Sequence, residues 1–196
     1  DEVRKSIGIV FQDSSLDEWL TAEENLRFHA KLYGLTNNEF KKRKQEVLEL
    51  VNLWNRRKDV VKNFSGGMKR RLEIARGLIH YPAVLFLDEP TSMLDQTGRN
   101  EMIRCLHQLH RDYGITIVMV SHCMEDVASC NRLIVLNQGE VHLDGPPWQV
   151  FKSPGLEATG LKPPLIARLN YMLASKENQI DPRIVTLRQM MEYLCR

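Results

Sequence analysis

The feature that most constrains this chain is an apolar run that stops on charge. Ala83-Val-Leu-Phe-Leu87 is uninterrupted, and Asp88, Glu89 and Pro90 follow at once. A continuous apolar run of this length fits a strand buried on both faces. Pro90 has no N–H to donate and ends it. Further on, Gly98–Arg111 places Met102, Ile103, Leu106 and Leu109 at helical spacing, and Ile115–Val120 is a second, β-branched run. Strand, helix, strand at this length predicts a βαβ unit with parallel strands and a right-handed crossover. The fold class is therefore α/β. In open α/β sheets, ligands bind beyond the C-terminal ends of the strands. Two adjacent carboxylates delivered to that edge are candidates for chemistry: Asp88 can face a phosphate-bound Mg²⁺ and Glu89 an attacking water. The plainer alternative is a pair of surface carboxylates at a strand end.

The flanking segments read around this unit. Ile7–Phe11 is a short strand pattern, with Gln12 just beyond it. Thr21-Ala-Glu-Glu24 matches a capping box and opens a helix that Gly34 stops. A second helix is predicted from Asn38 to about Leu53, so residues 18–62 form a helical insert with no strand pattern. In Asn63-Phe-Ser-Gly-Gly-Met68, Ser65 can cap a helix while Gly66 and Gly67 expose backbone amides. A capped N-terminus with bare amides suits an anion; the plainer alternative is an ordinary cap. Ser121-His122 ends the Ile115–Val120 run, where a neutral ring can donate to a phosphate oxygen. Arg132–Leu136 and Glu140–Leu143, split by Asn137-Gln-Gly139, predict a hairpin. Beyond Gly145-Pro-Pro147 and Lys152-Ser-Pro-Gly155, the stretches Pro163–Leu173 and Thr186–Leu194 predict two amphipathic helices with a polar link.

Composition narrows the classes. With 27 Lys and Arg against 25 Asp and Glu, the net charge is +2, too small for a dedicated nucleic-acid binder. The longest apolar runs are far too short to span a membrane. The four cysteines have no metal-site spacing and fit a reducing compartment. Charge is nonetheless uneven: residues 41–76 are strongly basic, and Lys41-Lys-Arg-Lys44 reads as a solvated helix face.

Taken in order, Val10-Phe-Gln12, Phe64-Ser-Gly-Gly67, Leu85–Pro90, Ser92-Met-Leu-Asp95 and Ser121-His122 resemble the nucleotide-binding domain of ATP-binding-cassette (ABC) transporters, over residues 3–150. The resemblance implies a P-loop ATPase fold with a helical subdomain at about 14–80, a domain over 1–150 and a helical extension over 151–196. It implies ATP and Mg²⁺ as cofactors. Gln12 matches the family's Q-loop, and Ser65, Gly66 and Gly67 its signature loop. Asp88 matches the magnesium-binding aspartate and Glu89 the catalytic glutamate. Asp95 matches the D-loop aspartate and His122 the switch histidine. Phe64 stands where the signature usually begins with Leu, and Met93 where the D-loop has Gly or Ala. The implied partners are a second ATPase subunit, identical or not, and an integral membrane permease, with no nucleic acid. The implied location is the cytoplasmic face of the cell membrane, held there peripherally.

Two further expectations follow from the resemblance. No Gly-x-x-x-x-Gly-Lys-[Ser/Thr] occurs, only 11 residues precede Gln12, and the chain opens on Asp1. The expected fold is therefore partial, lacking the Walker A segment at its N-terminus, and the 196-residue chain alone is expected to be inactive. The likeness is also split. Ile7 to Asp95, with Phe11–Asp17, Glu24–Leu26 and Phe64–Gly77, is similar to the ATPases of daunorubicin-type drug exporters. From Gly98 onward, with Leu109–Glu125, Arg132–Gly145 and Gly155–Leu161, it is similar to those of energy-coupling-factor importers, with a join near the D-loop. The function so implied is ATP binding and hydrolysis coupled to membrane transport. The alternatives are a catalytically incomplete module for dimerisation or permease contact, and a soluble ATPase of the same superfamily.

Overall fold

The computed structural model describes residues 2–174 and 180–195. The chain divides into two compact units, one ending at Val120 and the other beginning at Ser121. In the first unit a short helix, α1 (Glu2–Ser6), leads into strand β1 (Ile7–Val10), and α2 (Ala22–Leu32), α3 (Asn37–Leu50) and α4 (Gly66–Leu78) follow. Strand β2 (Val84–Asp88), helix α5 (Gln96–Tyr113) and strand β3 (Thr116–Val120) complete it. The three strands form a parallel sheet in the order β1-β2-β3. The predicted βαβ unit is β2-α5-β3.

Local chemistry accounts for the helix limits. Thr21 and Glu24 form the predicted capping box of α2. Thr36 and Glu39 form a second one for α3. Gly34 lies at φ +77°, a left-handed conformation that glycine adopts without a Cβ clash. Two 3₁₀ turns, Trp54–Arg56 and Val61–Asn63, carry the chain from α3 to the cap of α4.

Helices α4 and α5 pack against one face of the sheet. Val10, Leu85 and Leu87 on that face join Leu26, Val47, Leu48, Leu72, Ile74, Leu78, Met102 and Leu109 in one core. Contact between β1 and α4 is very close: a Cβ on Gly8 would lie 2.5 Å from the Gly77 carbonyl oxygen. On the other face, Ile9, Phe86 and Val118 form one register row and stay between 39 % and 49 % exposed. The continuous apolar runs predicted burial on both faces, but helices of this unit cover only alternate residues.

Arg43 corrects the reading of Lys41–Lys44 as a solvated face. It is buried and donates from Nη2 to the Leu78 carbonyl at 2.8 Å, covering the C-terminal end of α4. Lys44 pairs with Glu23 at 2.9 Å, which leaves Lys41 and Lys42 as the exposed members.

The second unit contains α6 (Met124–Val127), the antiparallel strands β4 (Leu133–Asn137) and β5 (Glu140–Gly145), and helices α7 (Pro147–Lys152), α8 (Pro154–Ala158), α9 (Leu165–Ala174) and α10 (Leu187–Leu194). The hairpin turns through Gln138 and Gly139, both at positive φ. Helix α7 packs on β5 and α9, and Val150, Phe151, Leu156 and Ala167 are buried. Asn170, fully buried, donates from Nδ2 to the carbonyls of Asp181 and Ile184 at 2.9 and 3.0 Å. Part of the predicted polar link, residues 175–179, lies outside the described residues.

Candidate functional site

Strand register builds the site's edge. Val10 pairs with Leu87 and Asp88 with Val120, so the chain leaves β1 and β2 at the same C-terminal edge of the sheet. Gln12 is exposed two residues beyond β1, and Asp88 is exposed as the last residue of β2. Glu89 is half-buried at φ +43°, in the left-handed region that a residue with a Cβ adopts at a cost of about 1–2 kcal/mol. Its N–H donates to the Val120 carbonyl at 3.0 Å. Its own carbonyl accepts from the Ser92 hydroxyl at 2.8 Å, which tightens the turn after β2. Met93, fully exposed, is also left-handed at φ +61°.

Two helix N-termini carry the other predicted residues of the first unit. Ser65 caps α4, its Oγ accepting from the Met68 N–H at 3.3 Å. The space over Gly66 is open, and a Cβ on Gly67 would touch only Leu94, at 3.8 Å. Asp95 caps α5 by accepting from the Gly98 N–H at 3.0 Å. The first unit thus brings Gln12, Asp88 and Glu89 to one sheet edge, with Ser65–Gly67 and Asp95 at caps. His122 belongs to the second unit, where it is exposed beside Ser121, whose Oγ accepts from the Cys123 N–H at 3.1 Å.

The oxygen donors at the edge are hard ligands: the Asp88 carboxylate and the Gln12 amide carbonyl. One carboxylate with one neutral oxygen fits Mg²⁺, which takes one or two protein ligands and fills its octahedron with phosphate and water. Among the described residues no group of three or more His, Cys, Asp and Glu side chains is arranged to hold a metal.

Sequence reasoning missed the residues beneath this edge. Arg70, on α4, is buried; its Nη2 donates to the Asp88 carbonyl at 2.5 Å, its Nε to the Pro90 carbonyl at 3.2 Å and its Nη1 to the Phe11 carbonyl. Nη1 also meets Glu73 Oε2 at 2.9 Å, and the other Glu73 oxygen accepts from the Ser15 N–H at 3.0 Å. Arg76 donates to the Ser15 carbonyl at 2.7 Å. The only sequence signal is the Arg–Glu spacing of three on a helix. Within a basic stretch it reads as an exposed pair.

A histidine cluster lies behind the same helix. His80 stacks on Tyr33 with ring centroids 3.8 Å apart and meets the Ile7 carbonyl at 3.0 Å. Burial, helped by the Arg76 and His80 charges, lowers the neighbouring His29 to a pKa of about 4.

The chain as a whole is similar to known proteins. A family described as ABC transporter matches residues 1–92. The energy-coupling factor transporter ATP-binding protein EcfA1 of Caldanaerobacter subterraneus subsp. tengcongensis is 35 % identical, over 100 % of this chain and 71 % of its own length. Among solved structures, cbiO1 from Clostridium perfringens, part of the ABC transporter complex cbiONQ, is 31 % identical with a TM-score of 0.74, covering 89 % of this chain and 66 % of that one. The ATP-binding cassette MJ0796, dimeric in a post-hydrolysis state bound to ADP and Pi, is 30 % identical with a TM-score of 0.64, covering 74 % of this chain and 65 % of that one.

Two expectations are corrected here. The chain is not a join of an exporter-type half and an importer-type half: the EcfA1 match runs along all of it. The physical reason is visible at the expected join, where α5 begins at Gln96, runs unbroken to Tyr113 and sends Met102, Leu106 and Leu109 into the core that holds Leu26 and Leu72. Nor is the fold class assigned as a fragment's: 89 % of the chain superposes on a solved ATPase, so its fold is that of the P-loop ABC ATPases, and the chain spans 66 % of that ATPase's own length.

Proposed function

The chain belongs to the ABC transporter family as one of its ATP-binding, ATP-hydrolysing subunits, and on that premise we propose how its residues divide the work. Asp88 holds Mg²⁺, and Gln12 offers it a second oxygen while joining the sheet edge to the helical subdomain at about 14–80. Bound Mg²⁺ offsets the charge of the β- and γ-phosphates. Glu89 orients or deprotonates the attacking water, and His122 donates to the γ-phosphate. These four act on nucleotide bound to their own subunit. Ser65 and the amides of Gly66 and Gly67 act on nucleotide bound to the facing subunit, and Asp95 stands at the contact between the two. The observation that carries this reading is the adjacent Asp88–Glu89 pair at the end of a parallel strand, with Glu89 held at positive φ.

Its partners are a second ATPase subunit and a membrane permease. The dimeric cassette bound to ADP and Pi and the membership of cbiO1 in a transporter complex support both. The permease is expected to dock on the helical subdomain, where Trp19, Phe28 and Leu32 are exposed. It would hold the subunit at the cytoplasmic face of the membrane. No described helix is long and apolar enough to cross a membrane. Residues 1–150 serve as the nucleotide-binding domain and 151–196 as an extension that helps to pair subunits. The exposed stripes Leu165, Leu169 and Met172 on α9 and Leu187, Met191 and Leu194 on α10 support that role.

Size-exclusion chromatography of the full-length protein with Mg²⁺-ATP tests the division between own and facing subunit. The parent is expected to dimerise. Ser65→Arg is expected to bind nucleotide as a monomer without dimerising, because the added bulk projects from an exposed cap with open space beside it. A Ser65→Arg protein that dimerises and turns over like the parent would overturn the assignment of Ser65 to the facing site.

A further inference from the structure

Two turns of one helix join the groups that the proposed mechanism separates. Helix α4 begins at the Ser65 cap, and in its second turn it carries Arg70 and Glu73, whose side chains are 7 % and 3 % exposed. Burying two charges is costly, and an apolar pair of similar volume often gives equal or greater stability. What an apolar pair cannot do is hold backbone carbonyls. A guanidinium carries five donors in a rigid fork. Arg70 aims its donors at three carbonyls, those of Phe11, Asp88 and Pro90, and at Glu73.

Each carbonyl has a consequence. The Phe11 carbonyl belongs to the peptide that leads into Gln12. The Asp88 carbonyl belongs to the peptide that joins Asp88 to Glu89, and the N–H of that same peptide is held by the Val120 carbonyl at 3.0 Å. The peptide plane is therefore held at both ends, by α4 on one side and β3 on the other. Glu89 follows it at φ +43°, a conformation that persists only where its surroundings over-determine it. Pro90 fixes the next residue, again through Arg70. Glu73 anchors the guanidinium and also holds the Ser15 N–H, so the loop after Gln12 rests on the same pair.

We propose that Arg70 is a positioning residue for hydrolysis. By gripping the Asp88–Glu89 peptide and the carbonyl before Gln12 from the helix that Ser65 caps, it aims the Glu89 carboxylate and makes both loops move with the signature helix. The proposal rests on the reading of Glu89 as the carboxylate that handles the water.

The test uses the full-length protein in three variants: Arg70→Met, Arg70→Lys and Glu89→Gln. Turnover is divided by the number of ATP-binding sites counted by equilibrium binding, so that a loss of folded protein does not register. Arg70→Met is expected to lower kcat per site by about 10–100-fold, the usual cost of losing an outer orienting partner, with ATP affinity held within about twofold. Arg70→Lys keeps the charge beside Glu73, but one nitrogen cannot reach three carbonyls, and it is expected to fall by a smaller factor. A kcat per site within about threefold of the parent overturns the proposal, as does a fall matched by an equal loss of ATP affinity. Should Arg70→Met yield no ATP-binding protein, Arg70→Lys is judged against the same limits. If Glu89→Gln turns over at the parental rate, it is the reading of Glu89 that fails.

Discussion

At its N-terminus α4 is open: Ser65 is exposed, its cap rests on one hydrogen bond at 3.3 Å, and a side chain added at Gly66 would touch nothing within 4 Å. In its second turn the same helix is closed, with Arg70 and Glu73 buried and bonded to the loops after β1 and β2. The contrast separates two kinds of site. On the proposed division of work, Asp88 and Glu89, assigned to the subunit's own nucleotide, have their backbone fixed by the fold. Ser65, assigned to a facing subunit's nucleotide, is presented on an exposed turn, where a second surface can reach it.

The contrast breaks most readily at Glu73. Replacing it by Ala leaves the Arg70 guanidinium buried without its carboxylate, which typically costs about 3–5 kcal/mol. The denaturant midpoint should fall accordingly, and a change below about 1 kcal/mol, the scale of a surface ion pair, would mean that the pair is not closed to water. A pair of glycines sharpens the same contrast. A Cβ on Gly8 would meet the Gly77 carbonyl oxygen at 2.5 Å, backbone against backbone, so Gly8→Ala should cost about 1–3 kcal/mol. Gly66→Ala should stay within about 0.5 kcal/mol, since its added methyl faces open space. Equal effects at the two positions would erase the distinction.

The smallest expected effect is a pH dependence at His29, on α2. In the folded state His29 is held at about 4, against 6.5 for an ordinary histidine. The unfolded chain therefore takes up this proton first. The contribution of neutral His29 is complete above pH 6.5 and is lost as pH falls toward 4. Thermal midpoints at pH 7 and pH 5 should differ more in the parent than in His29→Gln. An identical drop in both would show that His29 is not a source of the acid sensitivity.

Much of this molecule is legible in its residues. The apolar runs and the spacing of Met102, Leu106 and Leu109 specify β2, α5 and β3 because period and length are properties of the sequence itself. Thr21 with Glu24, and Ser65, announce helix starts because caps are local, whereas α5, capped by Asp95, begins at Gln96, two residues before the predicted start at Gly98. Thr36 with Glu39 makes the same announcement, which sets the start of α3 at Asn37 rather than Asn38. Arg43 and Arg70 are illegible for the opposite reason. Their acceptors are backbone carbonyls between 18 and 59 residues away, and a carbonyl leaves no trace in the choice of side chain. At the edge itself, residue types suggest Asp88 and Glu89. The positive φ at Glu89 is set by its neighbours and has no signature in the sequence. The expected join near Gly98 came from local likeness, whereas α5 passes through that position as one helix serving one core.

The central claim is that Glu89, set at the closed edge, is the carboxylate on which hydrolysis depends. The most direct test is steady-state release of phosphate from Mg²⁺-ATP by the full-length Glu89→Gln protein, measured beside ATP binding. The substitution keeps the side chain's size and leaves Asp88 to hold Mg²⁺. Turnover is therefore expected to fall by about 10²–10⁴-fold while ATP still binds. The ATP-bound dimer should also outlive the parent's, because its ligand is not consumed. Turnover at the parental rate, with binding intact, would contradict the account.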